Sequence, residues 1–159
     1  MQSTAKSWKD TMPAKVSLVT LLVVIILLLP HCAGAPETAR VTRVIDGDTI
    51  VVEGGYHVRY IGIDTPEKEQ PYYEEAKQYN QELVDGETVR LEKDVTDKDK
   101  FDRLLRYVYV EGVFVNAELV RQGYAQVYPK DRYPDNKYYD LLKGAETEAK
   151  EAEKGIWGT

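Results

Sequence analysis

Acidic side chains gather in two short stretches of the chain: Asp46 and Asp48 in RVIDGDT, then Asp64 and Glu67 in RYIGIDTPE, a segment that opens with Arg59. Their meeting depends on a hairpin. With Gly54 and Gly55 as a two-residue turn, Glu53 faces Tyr56, so Asp46 pairs with Ile63 and Asp48 with Ile61, leaving Asp64 beside them at the open end. Three carboxylates this close repel one another unless a cation or a guanidinium compensates, and aspartate oxygens with a backbone carbonyl suit a hard cation such as Ca2+. Strict alternation places Asp48 and Arg59 on one face of the sheet and Asp64 on the other, so a bulge or twist near Gly62 is required to unite them. Each stretch also has an ordinary structural use: Asp-Gly-Asp-Thr is a good turn, and the aspartate of Asp-Thr-Pro can bond its own backbone where a strand ends. Taken singly each reads as a turn; the hairpin that joins them favours a site.

The elements that must hold these groups begin as β structure. ARVTRVID, DTIVVE and YHVRYIGID are three strands of a meander, separated by Asp-Gly and Gly-Gly turn signals. PYYEEAKQYNQELVDG reads as a helix, with Pro71 in its first turn, Ala76, Tyr79 and Leu83 on one face and Gly86 as its stop. ETVRLEKD and RLLRYVYV add two strands. VNAELVRQGYA is a short helix with Asn116 as candidate cap and Gly123 as its end, and KYYDLLKGAETEAKEAEKG a last amphipathic one. The expected fold is therefore α+β: a partly open five-stranded β-barrel of the OB-fold kind, with a helix between strands 3 and 4 and two C-terminal helices.

Residues 1–35 read differently. Lys6, Lys9 and Lys15 precede a 14-residue apolar run, Val16 to Leu29, and PHCAGAPET follows, which is the layout of an export signal. Spanning a bilayer takes ~20 residues, so a cleaved leader is the first reading and a membrane tether through residues 16–29 the second. Either puts residues 39–159 outside the cell. Lipidation at Cys32 ranks below both, because Pro30 and His31 stand where small residues are needed. Cys32 is the only cysteine, so the domain that follows has no internal disulfide and relies on packing. The formal charge is −6, and dropping Lys6, Lys9, Lys15 and Asp10 takes away a net +2 and leaves −8. Such a balance speaks against a polyanionic partner unless basic groups cluster locally.

RVIDGDT at 43–49, RYIGIDTPE at 59–67, DKFDR at 99–103 and VNAELVRQGYA at 115–125 occur in an order and spacing that closely resemble the staphylococcal nuclease (thermonuclease) family, from about Thr42 to Trp157. The resemblance implies that the Asp48 and Asp64 carboxylates and the backbone carbonyl of Thr65 ligate Ca2+, with Asp46 in support behind them. It makes Glu67 the base that orients or deprotonates the attacking water, and Arg59 and Arg103 the groups that bind the scissile phosphate. The implied activity is that of a secreted, monomeric, Ca2+-dependent phosphodiesterase acting on DNA and RNA with little sequence preference, leaving 3′-phosphates. Chemistry asks for the same residue types: negative charge develops on a five-coordinate phosphorus while water attacks opposite the leaving oxygen, and one cation with two arginines answers that charge.

The segment RQGYAQVYPKDRYPDNKYY interleaves tyrosines with Arg121, Lys130, Arg132 and Lys137, the local cluster that net charge conceals. Aromatic rings beside basic groups hold single strands by stacking. Tyr128 and Tyr133 align with the family's nucleotide-contacting tyrosines and Lys100 keeps a substrate-binding charge, whereas Tyr124 and one of Tyr138 and Tyr139 are expected to seat the last helix. His57, beside the hairpin turn, reads as a surface residue, and DKDKFD as a solvated loop. Asp102 departs from the family's usual glycine and sets a carboxylate next to Arg103; Phe101 replaces a tyrosine and loses a hydroxyl. Two rival readings are a noncatalytic nucleic-acid-binding module on the same barrel and a surface-tethered protein that binds acidic polymers.

Overall fold

The computed structural model describes residues 34–131 and 134–158. The proposed leader up to Ala33, including the apolar run and Cys32, and Tyr133 with its neighbour Arg132 lie outside the described residues. Five strands make the barrel: β1 (Thr38–Val44), β2 (Thr49–Val52), β3 (Tyr56–Tyr60), β5 (Thr88–Glu92) and β6 (Leu104–Val110). A two-residue strand β4 (Ile63–Asp64) follows β3, and two more short ones, β7 (Val113–Phe114) and β8 (Gln126–Val127), follow β6. Helix α1 (Tyr73–Val84) joins the third and fourth barrel strands; α2 (Val115–Arg121), α3 (Tyr139–Glu151) and a 3-10 turn at Gly155–Trp157 complete the chain.

The strand order is β3-β2-β1-β5-β6, and a parallel pairing of β3 with β6 closes the sheet on itself. The barrel is therefore closed rather than partly open. The seam sets Val58 against Leu104, Arg59 against Leu105 and Tyr60 against Arg106. β1 can serve both β2 and β5 because an irregularity between Val41 and Arg43 bends it. Valine, isoleucine and leucine from every barrel strand fill the interior, capped by Val84 of α1, Leu119 and Val120 of α2 and Leu142 of α3. That burial, in the absence of any cysteine among the described residues, is what stabilises the fold.

Three local expectations are corrected. The hairpin between β2 and β3 turns through Glu53, Gly54 and Gly55, with Val52 opposite Tyr56 and Thr49 opposite Arg59, so the register is displaced by one residue. Both glycines take positive φ, and the third turn residue is what moves Asp48 from opposite Ile61 to opposite Tyr60, whose N–H donates to the Asp48 carbonyl at 2.9 Å. Asn116 does not cap α2: it is buried inside the helix, accepting from Val108 N–H at 3.0 Å and donating to the Ile61 carbonyl at 2.9 Å. Pro71 precedes α1, whose N-terminal neighbour Tyr72 has φ 67°.

Candidate active site

The acidic turn and the end of β3 are brought together by close packing and by one chain reversal. Gly47 lies so close to Thr65 that a Cβ there would sit 2.8 Å from Thr65 Cγ2. This contact lets Asp48 accept both the Thr65 N–H at 2.9 Å and the Thr65 hydroxyl at 3.0 Å on Oδ2. Helix α1 braces the turn from behind: Tyr60 donates to Asn80 Oδ1, and Asn80 Nδ2 donates to the Asp46 carbonyl at 3.0 Å. The reversal is at Gly62, where φ is 78° and a Cβ would meet Asn136 Nδ2 at 2.3 Å. Only glycine fits there without strain. Past it, β4 pairs with β8, Asp64 opposite Gln126, and Asp64 arrives on the side of the sheet that holds Asp48. The twist needed near Gly62 is thus present.

Arg59 lies between the two aspartates. Its Nη1 is 2.7 Å from Asp48 Oδ2 and its Nη2 2.9 Å from Asp64 Oδ1, with the guanidinium side chain 12% exposed. Nη1 also donates to the Tyr60 carbonyl at 3.3 Å. The Nε–H and one Nη2 hydrogen have no protein partner among the described residues, which leaves them for a ligand. Asp46 does not join the pair as a third converging carboxylate: its Oδ1 accepts the Asp48 N–H at 3.1 Å, so it closes the turn and stands behind Asp48. Burial pushes the Asp48 carboxyl up to about 6, with Arg59 pulling it back and Asp46 adding to the rise.

The donors available to a cation are oxygens: the Asp48 and Asp64 carboxylates and the Thr65 carbonyl, whose residue is fixed beside Asp48. That set suits a hard divalent ion such as Ca2+, with water completing the shell. Among the described residues no cluster of three His, Cys, Asp or Glu side chains could hold a metal without backbone or water.

Arg59 and Arg103 share one cleft of about 560 Å³ with Lys100, Phe101 and Tyr128, floored by Tyr60, Ile61, Gly62 and Ile63. Four of the residues singled out in the sequence, Arg59, Lys100, Arg103 and Tyr128, meet there. Tyr128 is fixed by its N–H, which donates to the Gly62 carbonyl at 2.9 Å. Glu67 does not line this cleft. It is exposed in an adjoining one with Asp64, Thr65, Gln70 and Tyr72. The Arg59–Asp64 pair joins the two concavities. Glu67 also lies outside helix α1, so it does not serve as that helix's N-terminal charge.

Two residues that matter were not found by reading the sequence. Asp99, within the supposedly solvated DKDKFD loop, binds Arg103 Nε at 2.7 Å through Oδ2. Its Oδ1 accepts the N–H groups of Phe101 and Arg103. Although burial opposes it, these bonds hold the Asp99 carboxyl below the usual range. Gripped at Nε, Arg103 has both terminal nitrogens without protein partners among the described residues. The signal was an aspartate four residues before the arginine. Gln70 is the second: its Oε1 accepts the Glu67 N–H at 2.7 Å while its own N–H donates to the Glu67 carbonyl at 2.9 Å, closing the loop that presents Glu67. Asp102, at φ 64°, turns its carboxylate to Lys98 at 2.7 Å. Tyr124 packs on Tyr79, and Tyr138 and Tyr139 both pack on the core.

A closed OB-fold barrel that presents two arginines with free guanidinium hydrogens over a cleft, beside two aspartates and an exposed glutamate, defines a protein built to handle phosphodiesters. The chain belongs to the staphylococcal nuclease family: the model of the staphylococcal nuclease homologue family matches residues 57–159. It is 42% identical to endonuclease YncB of Bacillus subtilis over 141 residues, 80% of this chain and 66% of that protein. It is 36% identical to the thermonuclease of Staphylococcus hyicus over 130 residues, 76% of each chain. With the SPbeta prophage-derived endonuclease YokF of Bacillus subtilis it shares 44% identity over 126 residues, 72% of this chain but 42% of that protein. The chain thus spans about two-thirds of the first relative and under half of the third.

Proposed function

We infer that the chain is an exported nuclease that hydrolyses the phosphodiester bonds of DNA and RNA with little sequence preference, depends on Ca2+, and leaves 3′-phosphates. The nuclease class follows from family membership and from relatives named as endonucleases and a thermonuclease. The observation that carries the reading is Arg59, held by Asp48 and Asp64 on the wall of the cleft that Arg103 also lines. Arg59 and Arg103 neutralise the charge that grows on the phosphoryl oxygens, and in favourable systems arginine stabilisation of this kind is worth ~10³ to 10⁵ in rate. Glu67, exposed beside the cleft and tethered by Gln70, orients the attacking water and takes its proton. Lys100 and Tyr128 hold the rest of the nucleotide. A cation held by Asp48, Asp64 and the Thr65 carbonyl would act as a Lewis acid toward the phosphate. Export rests on the leader sequence.

The test is cleavage of a defined oligonucleotide in calcium and in chelator, with analysis of the product ends. Cleavage is expected in calcium, lost on chelation and restored by its return, with phosphate on the 3′ ends. Strand binding without cleavage would instead support the noncatalytic module, and chelator-resistant cleavage would overturn the metal assignment. Arg59→Ala and Arg103→Ala should each lower turnover at least as much as Glu67→Gln; wild-type turnover in Arg59→Ala would refute its role.

A further inference from the structure

The far side of Arg103 opens onto a second groove of about 430 Å³, lined by Tyr56, His57, Lys98, Phe101, Asp102 and Arg103. Phe101 and Arg103 line both this groove and the first cleft, so the two concavities meet along these side chains. Phe101 is 67% exposed and belongs to neither core cluster. Its ring has the Lys100 ammonium 5.0 Å and the Arg103 guanidinium 5.5 Å from its centroid. An exposed aromatic ring with two cations close to it combines a stacking surface with groups that hold the neighbouring phosphates. The other cation of the groove, Lys98, is engaged by Asp102 at 2.7 Å, so beyond Arg103 the groove offers little net charge and favours a flat, neutral group over a second bare phosphate. A polynucleotide continues beyond any phosphate bound at Arg103, and this groove is where the shared wall leads it.

We propose that the groove between Phe101 and the Tyr56–His57 end of the β2–β3 hairpin is a subsite for an unpaired nucleobase, one nucleotide beyond the phosphate at Arg103. The subsite rests on the nuclease reading, and it extends the grip on the substrate by one nucleotide beyond the cleft.

The experiment compares kcat/KM for a hexanucleotide with that for a mononucleotide aryl phosphodiester, which has no nucleotide to place in the groove. Stacking on one ring corresponds to about 5- to 150-fold in the ratio of the two values. Phe101→Ala is expected to lower that ratio by such a factor. Hexanucleotides with one base removed at each position in turn should show the same fall at a single position, with no further fall when combined with Phe101→Ala. Asp102→Gly, permitted by the positive φ, frees Lys98 for the following phosphate and should raise the ratio at low salt, a gain that a disturbed loop would not produce. A ratio indifferent to Phe101→Ala, or one that falls in that variant while ignoring every missing base, overturns the subsite and leaves the nuclease reading intact. Wild-type protein that cleaves neither substrate in calcium overturns both.

Discussion

Replacing Asp99 by asparagine separates two jobs that one carboxylate performs. Asp99→Asn keeps an oxygen for the Phe101 and Arg103 N–H groups, so the loop stays anchored, but it sets an amide donor against the Arg103 Nε–H, now bound at 2.7 Å. A hydrogen bond to a charged group contributes about 1.5–3 kcal/mol. Lost from the orientation of Arg103, that corresponds to a ~10- to 150-fold fall in kcat/KM on DNA. The thermal midpoint should move little, because the backbone bonds survive. Asp99→Ala should lose activity and, with both loop anchors gone, about 1–2 kcal/mol of stability as well. The decisive assay is the double variant with Arg103→Ala: if Asp99 acts only through Arg103, adding Asp99→Asn costs nothing further. Wild-type kcat/KM in Asp99→Asn, or independent multiplication of the two losses, would refute this role.

Gly62→Ala should lower the urea midpoint by the equivalent of roughly 3 kcal/mol, combining a left-handed backbone with a Cβ 2.3 Å from Asn136 Nδ2, and should lower kcat too because Asp64 follows the turn; an unchanged midpoint contradicts this. Gln70→Ala removes the latch on Glu67 and should cut kcat about threefold to tenfold with KM little changed, and should add nothing to the loss caused by Glu67→Gln. Glu92 gives a pH dependence: burial pushes its carboxyl up, but hydrogen bonds from Lys137, Arg90 and Tyr138 bring it down to about 2. A folded value below the unfolded one, near 4.3, contributes stability that is fully present above pH 5 and is lost as pH falls toward 2. Glu92→Gln should therefore be less stable than wild type at pH 7 by an amount on the order of 2 kcal/mol, and the gap in thermal midpoint should close toward pH 2.

Strands, helices and the barrel were legible because valine and isoleucine alternation and glycine punctuation report burial and turns directly. Arg59, Lys100, Arg103 and Tyr128, singled out from the motifs that carry them, do line one cleft, and Asp48 and Asp64 flank Arg59 beside it. What stayed hidden depends on single backbone angles and on who partners whom. Glu53-Gly54-Gly55 permits a turn of two residues or of three, and composition does not choose between them, which displaced the hairpin by one. Gly62 announced a bend but not its direction. Asn116 looked like a cap because asparagine usually caps; here its amide instead accepts from Val108 and donates to Ile61, 55 positions before Asn116 in sequence. Asp99 looked solvated because nothing local says that Arg103 folds back onto it.

The seam between β3 and β6 has a consequence for timing. Arg59 is set in place on β3, yet its neighbour across the seam, Leu105, and Arg103 two residues earlier come from a part of the polypeptide synthesised more than forty residues later. A chain emerging from the ribosome with only its first half made owns Arg59, Asp48 and Asp64 but has no opposing wall. The two walls of the cleft meet only when β6 docks against β3, so a chain cut short before Leu104 lacks the second wall.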